Sequence, residues 1–262
     1  MGPLSGRAVP HRLTADERRR WPVERRTGRV TDLLQPWPSP ENRSGPLARL
    51  GRVRGDGALV LGSTQPRHVV DEAAATAAGV DVVRRSTGGG AVLVHCDAQV
   101  WLDLWVPRHH VLWDDDIVTA AHWVGEAWRQ ALAQLGAVDL RVHAGGVTRS
   151  PLSDLVCFAG LGPGEVRCGT AKIVGLAQRR TRAGARFHTT APLRWNPRPL
   201  VDLLDVTALR AVGPDMASLD DAAVGLHDAG LHDAGLGDNE IELMTDGDLM
   251  STVENAVIDA LP

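Results

Sequence analysis

The chain of 262 residues contains a single lysine, Lys172. It lies in the stretch Gly169-Thr-Ala-Lys-Ile-Val-Gly175-Leu-Ala-Gln178, and every other strongly basic residue is arginine. Ile173, Val174, Leu176 and Ala177 predict a mostly buried strand. An ammonium set into such a strand must have a partner, so the fold has to be built around one. Arginine offers a broad planar fork, whereas lysine offers a compact charge on a thin stem. A compact cation suits a phosphate or acyl-phosphate oxygen in a tight pocket. An ordinary surface lysine is the plainer alternative.

A second stretch carries comparable weight. Arg84-Arg85-Ser-Thr-Gly88-Gly89-Gly90 lies between two predicted strands. Consecutive glycines permit positive φ and leave no Cβ, so a ligand can approach the backbone closely. With paired arginines directly before it, the loop reads as an anion site rather than a plain turn. It is not a P-loop, since no Gly-Lys-Ser/Thr follows, and it does not fit GxGxxG.

Several other elements are legible in order. Residues 1–20 read as a basic tail, and a first strand starts at Trp21. Residues 35–46 form a proline-rich connection. A strand over 58–62 ends in a turn with Gln65, and a helix follows from Asp71 to Gly79. Ala91–Val94 and Val100–Val106 predict two strands in a hairpin. In the second, Trp101, Asp103 and Trp105 share one face. Asp103 is expected to pair with an arginine on a solvated face, with a pocket-lining role as the alternative. His95, at a strand end facing the glycine loop, is either structural or ligand-contacting. Asp114, Asp115 and Asp116 cap a helix over about 117–135 rather than hold a metal. Leu155–Phe158 and the Lys172 segment predict strands, residues 199–210 a short helix, and 247–261 a closing helix. The duplicated Gly-Leu-His-Asp-Ala within 213–239 predicts an exposed, mobile insertion.

Composition excludes several classes. No apolar run reaches the roughly 20 residues of a membrane span, and no signal-peptide core is present, so the expected setting is cytoplasmic. Cys96, Cys157 and Cys168 show no metal-ligand spacing, which argues against zinc and disulfide frameworks. Residues 1–54 hold 12 Arg against 5 acids, and residues 213–262 hold 12 acids with no Lys or Arg. The basic end lacks interleaved aromatics, so nucleic-acid binding is not expected.

Together these residues resemble a family. Arg85-Ser-Thr-Gly-Gly-Gly-Ala-Val, then His95 and Asp97, then Lys172-Ile-Val-Gly175-Leu-Ala-Gln178 resemble the biotin/lipoate protein ligase catalytic domain, specifically the lipoate–protein ligases. The Leu-Gly-Ser-Thr-Gln65-Pro turn resembles that family's first substrate-binding turn. The likeness spans about residues 20–205.

It implies an α+β fold, a mixed and largely antiparallel sheet flanked by helices, as in class II aminoacyl-tRNA synthetases and biotin–lipoate ligases. The implied catalytic domain covers 21–212. Residues 213–240 would be a low-complexity acidic insertion, and 241–262 a C-terminal helix packed on that domain. The implied chemistry joins ATP, with Mg²⁺, to lipoate or octanoate as an acyl-adenylate. The acyl group then passes to a lysine of a lipoyl carrier domain, in glycine cleavage H protein or a 2-oxoacid dehydrogenase E2 subunit.

Lys172 would be catalytic. Gln65, Arg85, Gly88, Gly89, Gly90, His95, Gly175 and Gln178 would bind substrate or ATP. Two other readings stay open. One is an ATP-independent octanoyltransferase drawing on acyl carrier protein, with Cys157 as nucleophile, and the other is a non-catalytic acyl- or adenylyl-binding module. The intact triple glycine favours the ligase. The chain departs from the family pattern at Cys96, which separates His95 from Asp97, and at His188, which is followed by Thr-Thr-Ala-Pro.

Overall fold

A computed structural model describes residues 21–35, 45–213, 218–231 and 244–262. In chain order the first elements are β1 (Val23–Gly28), α1 (Val30–Leu34), β2 (Leu47–Val53), β3 (Ala58–Leu61), α2 (Glu72–Ala77), β4 (Asp81–Arg84), β5 (Val92–Val94) and β6 (Gln99–Pro107). Next come α3 (Ile117–Gln134), β7 (Leu140–Val142), β8 (Val166–Cys168), β9 (Ala171–Arg180) and β10 (Gly184–Pro192). The chain closes with α4 (Arg198–Val201), α5 (Val206–Ala211) and α6 (Asp246–Asp259).

Seven strands form one sheet in the order β1-β2-β6-β10-β9-β8-β7, and three form a second in the order β4-β3-β5. Only β1–β2 and β3–β4 pair in parallel. The architecture is therefore mixed α+β and largely antiparallel, with helices at its flanks, as the family resemblance implied. Alternation along β6 explains how the layers stack. Val100, Leu102, Leu104 and Val106 join a core with Trp128, Leu132 and Val253 from α3 and α6. Trp101, on the opposite face, packs with Val60 and Val94 of the small sheet. Period-two alternation thus serves two buried faces rather than one buried and one wet face.

Three expectations need correction. Residues 91–94 and 100–106 do not form a hairpin. β5 pairs with β3 in the small sheet, while β6 pairs with β2 and β10 in the large one. The short link between them carries the chain from sheet to sheet, with Asp97 at φ 49°. Leu155–Phe158 is not a strand either. Val156 makes one bridge to Ala91, and Cys157–Ala159 turns as a 3-10 helix.

The third concerns the acidic repeat. Within residues 218–231, Leu219, Ala223, Leu226, Ala229 and Leu231 are buried. Ala222 O accepts from Lys172 N, and Lys172 O accepts from Val224 N. The first repeat copy is therefore packed against the core because its Leu and Ala positions supply apolar surface. The rest of 213–239, the 1–20 tail and most of the proline-rich 35–46 stretch lie outside the described residues.

Capping explains the helix starts. The Asp116 side chain accepts from Thr119 N at the head of α3, and Thr245 and Asp248 form a capping box at α6. The 199–210 prediction resolves into α4 and α5, with Asp205 capping the latter. Among the described residues no helix is long and apolar enough to cross a membrane.

Candidate active site

Lys172 is 3% exposed at the start of β9. Its Nζ donates to Cys157 O at 2.7 Å, to Gly160 O at 2.7 Å, and to both carboxylate oxygens of Glu165 at 3.1 and 3.0 Å. Three partner groups match the three donors of an ammonium. The Phe158 ring lies 4.9 Å from the same nitrogen. Glu165 is itself held. It accepts from Gly162 N at 2.7 Å and from Leu176 N at 3.0 Å. The required partner therefore exists, and it is Glu165, which the sequence reading did not single out. The available signal was proximity, since Glu165 is the acid nearest to the lone lysine along the chain.

The pair borders a wide cavity of about 700 Å³. Gln65, Gly88, Gly89, Gly90, Cys157 and Gln178 also line it. A narrow apolar slot of about 40 Å³ adjoins it between the two sheets, lined by Val60, Val94, Trp101, Gly175, Leu176 and His188 among others. Cys157, Leu176 and Ala177 border both spaces. Cys157 is only partly buried. Expected as a candidate nucleophile or a small core residue, it presents its side chain where slot and cavity meet.

The glycine loop is braced by Arg85 rather than led by it. Arg85, 5% exposed, donates from Nε to Thr87 Oγ1 at 3.1 Å, from Nη1 to Val60 O at 3.2 Å, and from Nη2 to Gly88 O and Gly90 O at 2.6 and 2.9 Å. Nη2 also lies 3.8 Å from Cys157 Sγ. Gly89 has φ +99°, which disfavours side chains. A Cβ on Gly90 would come within 2.7 Å of the Val156 backbone, whereas one on Gly88 would meet nothing within 4 Å. Gly90 thus lets the Cys157 segment lie against the loop, with Ala91 N donating to Leu155 O and Cys157 N to Ala91 O. Gly88 leaves its backbone open to the cavity.

The remaining candidates divide. Gln65 is buried, accepts from Gly62 N at 3.2 Å, and donates to Asp154 O and Leu155 O, tying its turn to the Cys157 segment. Gln178 lines the cavity and donates to Ile117 O at 2.7 Å. Gly175 faces the slot, and a Cβ there would contact Phe158 at 3.4 Å. His95 stands apart. Its ring packs over Gly57, its backbone pairs with the Gln99 side chain, and it borders neither slot nor cavity.

Asp103 also departs from expectation. It is paired with an arginine, Arg186, as anticipated, but it is buried rather than on a solvated face, because the small sheet covers that face. It also accepts from His188 Nδ1 and, at 3.3 Å, from Trp101 Nε1. Burial alone would raise the Asp103 carboxyl, but His188 and Arg186 outweigh it and hold the group well below the usual carboxylate range. Among the described residues no group of three His, Cys, Asp or Glu side chains could hold a metal ion; Asp116 caps α3, Asp114 accepts from Asp116 N, and Asp115 instead accepts from Trp113 Nε1.

The site thus joins an apolar slot to a wide cavity bordered by the glycine loop, Cys157 and the buried Lys172–Glu165 pair. Residues 42–230 match the lipoyl protein ligase A/B catalytic domain, and the chain belongs to that family. Solved structures give the same fold. Lipoate-protein ligase A bound with ATP superposes with a TM-score of 0.63 at 17% identity, over 92% of this chain and 85% of that one. A bipartite lipoate protein ligase of Thermoplasma acidophilum, from an archaeal lipoylation system described together with its E2 lipoyl domain, gives 0.64 at 17% identity, over 92% and 84%. A putative lipoate protein ligase from the same organism with bound lipoic acid gives 0.60 at 18% identity, over 92% and 84%. A comparison with curated protein sequences finds no match.

Proposed function

We propose that this protein transfers a lipoyl or octanoyl group to the ε-amine of a lysine on a lipoyl carrier domain, such as glycine cleavage H protein or a dehydrogenase E2 subunit. The similar structures support the substrate class, since one is bound with ATP, one has bound lipoic acid, and one comes from a lipoylation system described with its E2 lipoyl domain. The slot would hold the acyl chain, and the wide cavity would receive the reacting carbonyl and the acceptor.

One observation carries the route. The half-buried Cys157 lies between slot and cavity, beside the Arg85 guanidinium. A free cysteine with a purely packing role is more often fully buried. In this reading the Cys157 thiolate attacks the carbonyl carbon of a carrier-bound acyl thioester. A new carbon–sulfur bond forms, the donor's breaks, and the donor leaves as a thiolate. The acceptor amine then attacks the Cys157 thioester, and Cys157 leaves with the electron pair while the amine proton passes to it or to solvent. Lys172 and open backbone N–H groups of the glycine loop would stabilise the oxyanion in both steps.

A second reading is the ATP-dependent ligase, and the size of the wide cavity and the open backbone at Gly88 favour it. An acyl-adenylate would form with loss of pyrophosphate. Lys172 and the loop would hold its anionic oxygens, and Mg²⁺ would arrive bound to the nucleotide's phosphates.

Cys157→Ser separates the two. Wild-type protein mixed with an octanoyl thioester of acyl carrier protein, without ATP, should gain one octanoyl group by intact mass. Cys157→Ser should gain none and should leave a lipoyl-domain acceptor unmodified. Unchanged ATP-dependent acylation by Cys157→Ser, with no adduct on the wild type, would establish the ligase instead.

A further inference from the structure

A third cavity, of about 490 Å³, adjoins the slot. Leu34 and Arg85 border both the slot and this cavity. Its wall carries Arg84, Arg85, Arg179 and Arg186, the hydroxyls of Thr31, Ser86 and Thr181, and, among the described residues, no carboxylate. Arg186 is balanced by Asp103 behind it. The other three have no acidic partner among the described residues. Arg84 Nη1 donates to Gly62 O and Gln65 O, Arg179 Nη1 donates to Ser86 O, and Arg85 serves only neutral acceptors and the Cys157 sulfur. The remaining guanidinium nitrogens of Arg84 and Arg179 have no partner there.

This contrasts with Lys172, whose charge is met by Glu165. Arg85 is buried, and a buried cation without a counter-charge is unfavourable unless an anion arrives, while the exposed Arg84 and Arg179 add further positive charge to the same wall. Guanidinium forks and hydroxyls together match the oxygens of a phosphate group. The volume exceeds that of a bare ion and admits a body attached to it.

We infer that this arginine-lined cavity is a second anion site, and that it takes the phosphate of a phosphate-bearing ligand beside the slot. Two sources share that chemistry: the phosphopantetheine arm of a carrier-bound acyl donor, and a nucleotide. The inference does not rest on the acyl-transfer reading, since binding can be measured without turnover.

The test is calorimetric titration of the whole chain with 4′-phosphopantetheine, with pantetheine lacking the phosphate, and with ATP. Arg179 is exposed and makes one hydrogen bond, to Ser86 O, so Arg179→Gln should fold. It should weaken the phosphate-bearing ligand about tenfold or more, the scale of one lost charged hydrogen bond. Arg179→Lys should weaken it less. Binding of phosphopantetheine but not pantetheine, with that dependence on Arg179, supports the inference with a carrier arm as source. The same dependence shown by ATP alone supports it with a nucleotide as source. Absence of binding by both phosphate compounds, or an affinity within about twofold in Arg179→Gln, overturns it. Acyl transfer that persists in that event would leave the proposed function standing.

Discussion

Two buried ion clusters sit on the large sheet, and they are built for different ends. At Lys172 the cation meets one carboxylate and two carbonyls, and the whole group borders the wide cavity. At Asp103 the anion meets Arg186, His188 and Trp101 and lies between the two sheets, with His188 and Trp101 bordering the slot and Arg186 the third cavity. The first cluster can exchange a carbonyl for a ligand oxygen without leaving a buried charge alone. The second cannot lose its central carboxylate without stranding an arginine. A buried charge beside a cavity is thus equipped for chemistry, and a buried charge between sheets for holding them in register.

Lys172→Ala should give the largest effect, because it removes both things at once. It strands Glu165, which should cost about 3–5 kcal/mol of stability, and under the proposed function it removes a cation from the reacting carbonyl, which should slow acceptor modification about 10²-fold or more. Lys172→Met/Glu165→Gln should recover most of the stability and none of the activity. Chemical denaturation and intact-mass acylation assays read the two quantities separately. A double variant with wild-type turnover would remove Lys172 from the mechanism.

Asp103→Asn should come next, with a loss of about 3–5 kcal/mol in stability and near-normal turnover per folded molecule. Its pH dependence has a defined sign. The folded Asp103 carboxyl lies below its ordinary value, so its contribution is fully present above about pH 4 and is lost as pH falls towards the folded value. The stability gap between wild type and Asp103→Asn should therefore be constant near neutrality and narrow below about pH 4. A gap that widens on acidification would mean the carboxyl is not held in its charged form.

These clusters also mark where sequence reading succeeds and fails. The Lys172 strand was legible because an apolar alternation around one lysine is a local signal. Glu165 was not, because its approach to Lys172 depends on the β8–β9 connection and its register shift. Half of Asp103 was legible: an acid between tryptophans needs a cation. Its burial was not, since that depends on a second sheet formed by β3, β4 and β5. The same sheet explains the misread hairpin, because a short link between strands looks alike whether it pairs them or carries the chain between layers. The packed residues 218–231 were hidden by their repeat, whose spacing suggested low complexity although its leucines fill the core.

The smallest expected effect separates structure from binding within one loop. Gly89 is a poor probe, since its φ is +99° and any Cβ placed there would sit 2.9 Å from Arg85 Nη2, so every side chain would be destabilising. Gly90→Ala should cost about 1–3 kcal/mol by overpacking, because the new methyl meets the Val156 and Cys157 backbone at 2.7–2.8 Å. It should also lower transfer by pushing Cys157 away from the slot. Gly88→Ala meets nothing within 4 Å, so its melting temperature should stay near that of the wild type. Its methyl would nevertheless project from a loop that lines the wide cavity, and ligand affinity should fall severalfold. Differential scanning calorimetry with ligand titration distinguishes these outcomes. Equal losses of stability in the two variants would mean that the loop serves the fold alone at Gly88, as it does at Gly90.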